Sequence, residues 1–223
     1  MKPYYENEFG KLYHGDCLDI MPKLKPVSFI YIDPPYNVGK GYGPGADDLK
    51  DSVYLNRMYD TFELCLKLSD KMICHIPKKY LEDYLSLLPK GNLIILKRDA
   101  RGALARPFLW SDQFDILYAY GDPISAPCNV WQGIRLKGEG WFFREDTFGH
   151  RGYTPQPIAI KSIECMTRKY ETVLDCFAGT GTTLLACQRF ERNWFGIEYE
   201  EENCEIAAGR LENERKQLKL FRN

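Results

Sequence analysis

Asp33-Pro34-Pro35-Tyr36 follows directly on the apolar run Phe29-Ile30-Tyr31-Ile32, which predicts a buried strand. The tetrapeptide sets a carboxylate, two rigid prolines and an aromatic ring at a strand's C-terminal end, where open α/β sheets bind their ligands. Proline has a fixed φ and no N–H, so the carbonyls of Asp33 and Pro34 can be held outward as acceptors. A carboxylate, a fixed carbonyl and a stacking ring suit a planar base that carries an exocyclic amino group. A strand running into a proline-rich turn would read the same way, so these four residues alone assign no function.

A second constellation lies far along the chain. Val173-Leu174-Asp175-Cys176-Phe177-Ala178-Gly179-Thr180-Gly181-Thr182-Thr183 reads as a strand, a tight glycine turn and a helix start. Gly179 and Gly181 let the backbone turn sharply and approach a ligand with no Cβ in the way. The following strand ends in Gly196-Ile197-Glu198-Tyr199. An acidic residue about 20 positions beyond a glycine turn is well placed to bind ribose hydroxyls. The turn is G-x-G rather than G-x-G-x-x-G, and no Walker lysine follows, which weakens dinucleotide and triphosphate readings and favours another nucleoside cofactor.

The elements that must position these groups alternate in type. Lys11 to His14, Ser28 to Ile32, Met72 to Ile76, Asn92 to Leu96, Thr172 to Cys176 and Trp194 to Ile197 predict strands. Asp51 to Ser69, Lys79 to Leu88, Ile158 to Arg168, Thr182 to Phe190 and Glu201 to Leu218 predict helices. Phe114 to Tyr120 alternates weakly and predicts an edge strand. Gly39 to Gly45 predicts a loop directly after Tyr36, and Gly121 to Pro157 mixes glycine, proline, tryptophan and charge without a period, as an active-site insertion would. The expected architecture is α/β: a doubly wound, mostly parallel sheet with helices on both faces.

Composition narrows the class. The 223 residues suit one α/β domain with a subregion, and 44% hydrophobic with 27% charged residues is ordinary for a globular chain. No apolar run approaches the roughly 20 residues of a membrane span, and no signal peptide opens the chain, so the expected location is cytoplasmic. The eight cysteines form no Cys-x-x-Cys pair and the three histidines lie far apart, which gives no support for a metal site. Net charge is −1, unlike most nucleic-acid binders, yet basic residues gather at Lys78, Lys79, Lys90, Lys97, Arg98, Arg101 and Arg106 while Glu198 to Glu205 is acidic. That asymmetry would let one face meet phosphates.

Taken together, these residues resemble the amino-directed DNA methyltransferases of the N6-adenine/N4-cytosine family, in the permuted β arrangement that puts Asp-Pro-Pro-Tyr before the Phe-x-Gly-x-Gly turn. His14-Gly15-Asp16-Cys17-Leu18, Phe29 to Asn37 and Leu174 to Arg210 carry the resemblance, which covers most of the chain outside its middle third. It implies S-adenosyl-L-methionine as cofactor and a seven-stranded sheet with its last strand antiparallel. It implies catalytic roles for Asp33, Pro34, Pro35 and Tyr36, with Tyr36 stacking on an extruded base. Phe177, Ala178, Gly179 and Gly181 would line the methionine part of the cofactor, with Asp175 beneath them. Glu198 would bind the ribose and Asp16 would read the adenine amine, unless Asp16 is only a helix cap. Cys17, Thr182 and Tyr199 complete the expected cofactor set.

The implied substrate is double-stranded DNA with the target base turned out, and a homodimer is left open. Within the family, aspartate at the first motif position is commoner among adenine enzymes and serine among cytosine enzymes. The expected activity is therefore adenine-N6 methylation, with cytosine-N4 as the alternative and an inactive cofactor- or nucleic-acid-binding module as a third reading. Residues 1–97 would form the catalytic half, 98–150 the edge strand and a short target-recognition insertion, and 151–223 the cofactor half. One departure stands out: Gly152-Tyr153-Thr154-Pro155-Gln156-Pro157 replaces a His-x-Thr-x-Lys-Pro-like element of the family, with glycine for histidine and Gln156 for lysine.

Overall fold

The computed structural model describes residues 1–37, 39, 48–97, 114–125, 130–131 and 156–222. Its strands are β1 (Tyr5–Glu6), β2 (Gly10–His14), β3 (Phe29–Ile32), β4 (Met72–Ile76), β5 (Asn92–Lys97), β6 (Phe114–Tyr120), β7 (Val130–Trp131), β8 (Thr172–Asp175) and β9 (Asn193–Glu198). They form one sheet in the order β1-β2-β9-β8-β3-β4-β6-β5-β7. From β2 to β4 the neighbours are all parallel. The helices are α1 (Cys17–Ile20), α2 (Asp51–Leu68), α3 (Leu81–Leu87), α4 (Gln156–Met166), α5 (Thr182–Arg189) and α6 (Glu201–Arg222).

Strand alternation divides the core between the two faces of the sheet. Phe29 and Tyr31 join Val173 and Trp194 against Ile163 of α4, Leu184 of α5 and Leu211 of α6. Ile30 and Ile32 point the other way, among Leu174, Ile197, Tyr54 and Phe62 of α2 and Tyr84 of α3. β3 is buried on both faces, which is why it reads as an unbroken apolar run instead of an alternating one. Each such side chain contributes roughly 1.5–3 kcal/mol by leaving water, so the centre of the sheet is its firmest part.

Three expectations need correction. Phe114–Tyr120 is an interior strand, antiparallel to β4 on one side and to β5 on the other. Its weak alternation arises because both its edges are paired and its middle residues are buried. Among the described residues the sheet has nine strands: the expected seven are flanked by the two-residue strands β1 and β7. Helix α4 starts at Gln156, with Pro157 in its first turn, where a missing N–H breaks no helical hydrogen bond.

Because β2, β9, β8 and β3 run in one direction, Asp16, Glu198, the glycine turn and Asp33 all leave the sheet at the same edge. The register makes this close: Tyr31 lies opposite Asp175, and His14 opposite Glu198. Of the irregular stretches expected from the sequence, residues 40–45, 98–113, 126–129 and 132–155 lie outside the described residues.

Candidate active site

The glycine turn is built by the two carboxylates that flank it. Asp175 ends β8, and its Oδ1 accepts the N–H of Phe177 at 3.0 Å. Burial pushes its pKa up to about 7; the Thr183 hydroxyl and the Phe177 amide pull the other way, while Asp33 and Glu198 add repulsion. Gly179 has φ +50° and Gly181 φ +82°, left-handed values that favour glycine. A Cβ on Gly181 would come within 3.0 Å of the Ala207 Cβ, whereas one on Gly179 would meet nothing within 4 Å. The first glycine therefore fronts open space and the second a helix.

Glu198 ties the turn to the tip of β9. Its Oε2 accepts the Gly179 N–H at 2.7 Å, and its Oε1 accepts from the Glu200 amide at 2.9 Å and from Asn203 at 3.2 Å. A carboxylate has about four acceptor positions, so one remains for a hydroxyl. Beside it, Glu200 Oε1 is buried and has no partner among the described residues. Arg210 of α6 donates to the Thr180 carbonyl at 2.5 Å and to its hydroxyl at 3.0 Å, which fixes the middle of the turn. An open glycine backbone beside a spare carboxylate acceptor fits a nucleoside cofactor with ribose hydroxyls. Thr182 opens α5 and is buried, and Ala178 is buried with its amide on the Ile197 carbonyl at 2.8 Å.

Asp16 does two things at the tip of β2. Its Oδ1 accepts the Leu18 N–H at 2.9 Å and so caps α1, and its Oδ2 pairs with Arg57 of α2 at 2.9 Å. The helix-cap reading of Asp16 is thus realised, at the same edge as Glu198. Cys17 is buried, and burial raises its thiol far above the ordinary range, so it packs and stays protonated. Tyr199 is exposed, and its carbonyl lies 3.0 Å from His14 Nε2.

On the other side of the edge, Asp33 and Tyr36 meet a residue that the tetrapeptide did not announce. His75, on β4 and 4% exposed, has Nε2 at 2.6 Å from the Tyr31 hydroxyl. Its Nδ1 is 3.5 Å from the Tyr36 hydroxyl and 3.8 Å from Asp33 Oδ1. Burial raises the Tyr36 phenol well above its usual range, and the charge of Asp33, the charge of Asp115 and a hydrogen bond to Asp33 raise it further. A single histidine inside an apolar strand was the available signal for His75. Asn37, with φ +53°, also went unassigned: it accepts the Leu49 N–H at 2.8 Å and donates to the Leu49 carbonyl at 2.9 Å and to Tyr80 at 2.8 Å. It pins the backbone immediately after Tyr36.

Gln156 has a structural explanation. It is 1% exposed and accepts from Arg189 Nη1 at 2.7 Å, while Glu214 holds the same guanidinium at 2.7 and 2.6 Å. A lysine there would press a second buried cation against Arg189, at a large desolvation cost.

Residues 122–209 match the DNA methylase family. The chain is 27% identical to the type II methyltransferase M.BamHI of Bacillus amyloliquefaciens, over 99% of its own length and 61% of that protein's, so it spans less than two thirds of that relative. It is 22% identical to the DNA adenine methyltransferase YhdJ of Escherichia coli (strain K12), covering 93% of this chain and 84% of that one. Among solved structures, it is similar to the PvuII DNA methyltransferase described as cytosine-N4-specific, with TM-score 0.71, 16% identity and 93% and 88% of the two chains covered. It is similar also to the M1.HpyAVI–SAM complex, with TM-score 0.64, 20% identity and coverage of 91% and 100%.

Proposed function

We propose that this chain, which matches the DNA methylase family over residues 122–209 and resembles type II methyltransferases along most of its length, moves the methyl group of S-adenosyl-L-methionine to the N6 amine of an adenine turned out of duplex DNA. The observation that carries the reading is the convergence at one sheet edge. The amine-binding tetrapeptide and the glycine turn leave the adjacent parallel strands β3 and β8, with Tyr31 opposite Asp175. The α/β sheet is that of S-adenosylmethionine-dependent methyltransferases.

When bound, the cofactor supplies an electrophilic methyl on a sulfonium. The residues of this chain do the rest. The open backbone at Gly179 admits the cofactor, the spare acceptor of Glu198 takes a ribose hydroxyl, and Asp16 reads the adenine amine once Arg57 yields Oδ2. Asp33 and the Pro34 carbonyl accept hydrogen bonds from the target amine and draw its lone pair out of ring conjugation. The proton leaving the nitrogen would pass to the Asp33 carboxylate. Holding nitrogen and methyl in line supplies much of the acceleration, up to roughly 7–11 kcal/mol in favourable systems.

Turning the base out costs a few kcal/mol, and stacking on Tyr36 returns about 1–3 kcal/mol. Phosphate contacts must provide the remainder. We assign them to the basic stretch from Lys97 to Arg106 and target reading to the part of 98–150 that follows β6, with salt-sensitive binding as the consequence. Aspartate at the head of the motif supports adenine over cytosine, as does the likeness to an adenine methyltransferase. The alternative, cytosine-N4, is favoured by the fold's likeness to a cytosine-N4-specific enzyme.

Nucleoside analysis after incubation with methyl-labelled cofactor and duplex DNA tests the reading. Label in N6-methyladenine is expected; label in N4-methylcytosine selects the alternative. Cofactor binding with no label in DNA would overturn both and leave a binding module.

A further inference from the structure

We propose that His75 is a positioning residue for the amine-binding tetrapeptide: with its ring proton on Nδ1, it relays the buried Tyr31 hydroxyl onto Asp33 and Tyr36. The inference deepens the methyl-transfer reading and rests on it for its kinetic part.

Burial raises the Tyr31 phenol well above the ordinary range, so the hydroxyl keeps its proton. A buried O–H needs an acceptor. Among the described residues the partner within reach is His75 Nε2, at 2.6 Å. If Nε2 accepts, a neutral imidazole carries its proton on Nδ1. That nitrogen faces the Tyr36 hydroxyl at 3.5 Å and Asp33 Oδ1 at 3.8 Å. Tyr36 in turn hydrogen-bonds Asp33. The donors therefore point one way, from Tyr31 through His75 and Tyr36, and end on the carboxylate that must face the amine.

The Nδ1–Asp33 separation is longer than a hydrogen bond, and catalytic contacts of this kind tighten when substrate loads. His75 is anchored in the sheet interior, since β4 pairs with β3 on one side and β6 on the other. A buried ring on a central strand can set the angle of a carboxylate on the neighbouring strand's tip. The titratable groups acting on its two hydroxyl neighbours, Tyr31 and Tyr36, are Asp33, Cys74 on β4, Asp115 on β6 and Asp175 on β8. Asp33 and Asp175 repel one another, which raises the value of a donor aimed at Asp33.

Two measurements test this on the full chain. Nitrogen-15 spectra of histidine-labelled protein without ligand should show the Nδ1–H tautomer for a signal that disappears in His75→Asn, and Tyr31→Phe should abolish its preference. His75→Phe should lower kcat on DNA by on the order of 10²-fold, as a misplaced reacting group does, and leave cofactor affinity measured by calorimetry unchanged. His75→Asn, which retains a donor near Nδ1, should recover most of that loss.

An Nε2–H tautomer would overturn the proposal whatever the activity. So would unchanged turnover in His75→Phe, or equal losses in His75→Phe and His75→Asn with cofactor affinity falling in parallel, the pattern of simple unpacking. Should the native protein methylate no DNA, the functional reading fails by itself, and the tautomer still decides the wiring of His75.

Discussion

The two halves of the site are held by different means. At the tips of β8 and β9, carboxylates accept from backbone amides: Glu198 from Gly179 and Glu200, Asp175 from Phe177, all at 3.0 Å or less. At the tip of β3 the contacts run between side chains and are longer, 3.5 and 3.8 Å from His75 Nδ1 to Tyr36 and Asp33. Acidic groups that define the shape of a ligand cradle are locked to the main chain. The carboxylate proposed to take the proton, Asp33, is held by side chains instead, Tyr36 among them. On this reading the cofactor half is complete before any ligand arrives, and the amine half tightens on its substrate.

The sharpest way to break this contrast is Asp33→Ala. It should lower methyl transfer by about 10²–10⁴-fold, the range for a lost general base, while calorimetry shows native cofactor binding. Equal loss of both would merge the halves into one unit. Gly179→Val attacks the other side: a β-branched residue at φ +50° costs about 1–3 kcal/mol of strain and fills the open cradle. Cofactor affinity should fall at least tenfold by calorimetry, and unchanged affinity would remove the turn from the cofactor site.

Asp175 gives a pH signature. Its folded pKa is raised to about 7, so the folded state binds more protons than the unfolded one between about pH 4 and pH 7. Its stabilising contribution is present in full below the unfolded value and fades as pH rises through 7. The melting temperature of native protein should carry this decline, and Asp175→Asn should flatten it across that window. Arg57→Ala is the smallest effect: the pair with Asp16 is half exposed, so stability should change by under about 1 kcal/mol in denaturant titration. A larger loss would mean that Arg57 also supports the cradle.

Legibility followed locality. β3 and β8 were readable because burial on both faces leaves an apolar run ended by polar or turn-forming residues. The glycine turn and Glu198 were readable because their spacing along the chain reflects a strand, a turn and a helix in sequence. The interior place of β6 was not, since slotting an antiparallel strand between β4 and β5 is a decision about sheet order that leaves no local pattern. His75 was hidden for a related reason: its closest partner, Tyr31, is 44 residues away. Asn37 forms bonds to Leu49, 12 residues on, and to Tyr80, 43 residues on, and takes a left-handed backbone that the chain does not advertise. Asp16 was legible as an acid at the right tip, but its pairing with Arg57 depends on where α2 lies.

The pairing of β3 with β8 has a consequence for synthesis. β3 is made early, yet one of its two neighbours in the sheet begins only at Thr172. At translation speeds of roughly 5–20 residues per second, the nascent chain must protect that strand's open edge for on the order of ten seconds. Such an edge, apolar on both faces, is a template for wrong partners. Truncated or stalled products of this gene should therefore be sticky, and supplying the missing C-terminal segment in trans offers a way to assemble the enzyme from two pieces on demand.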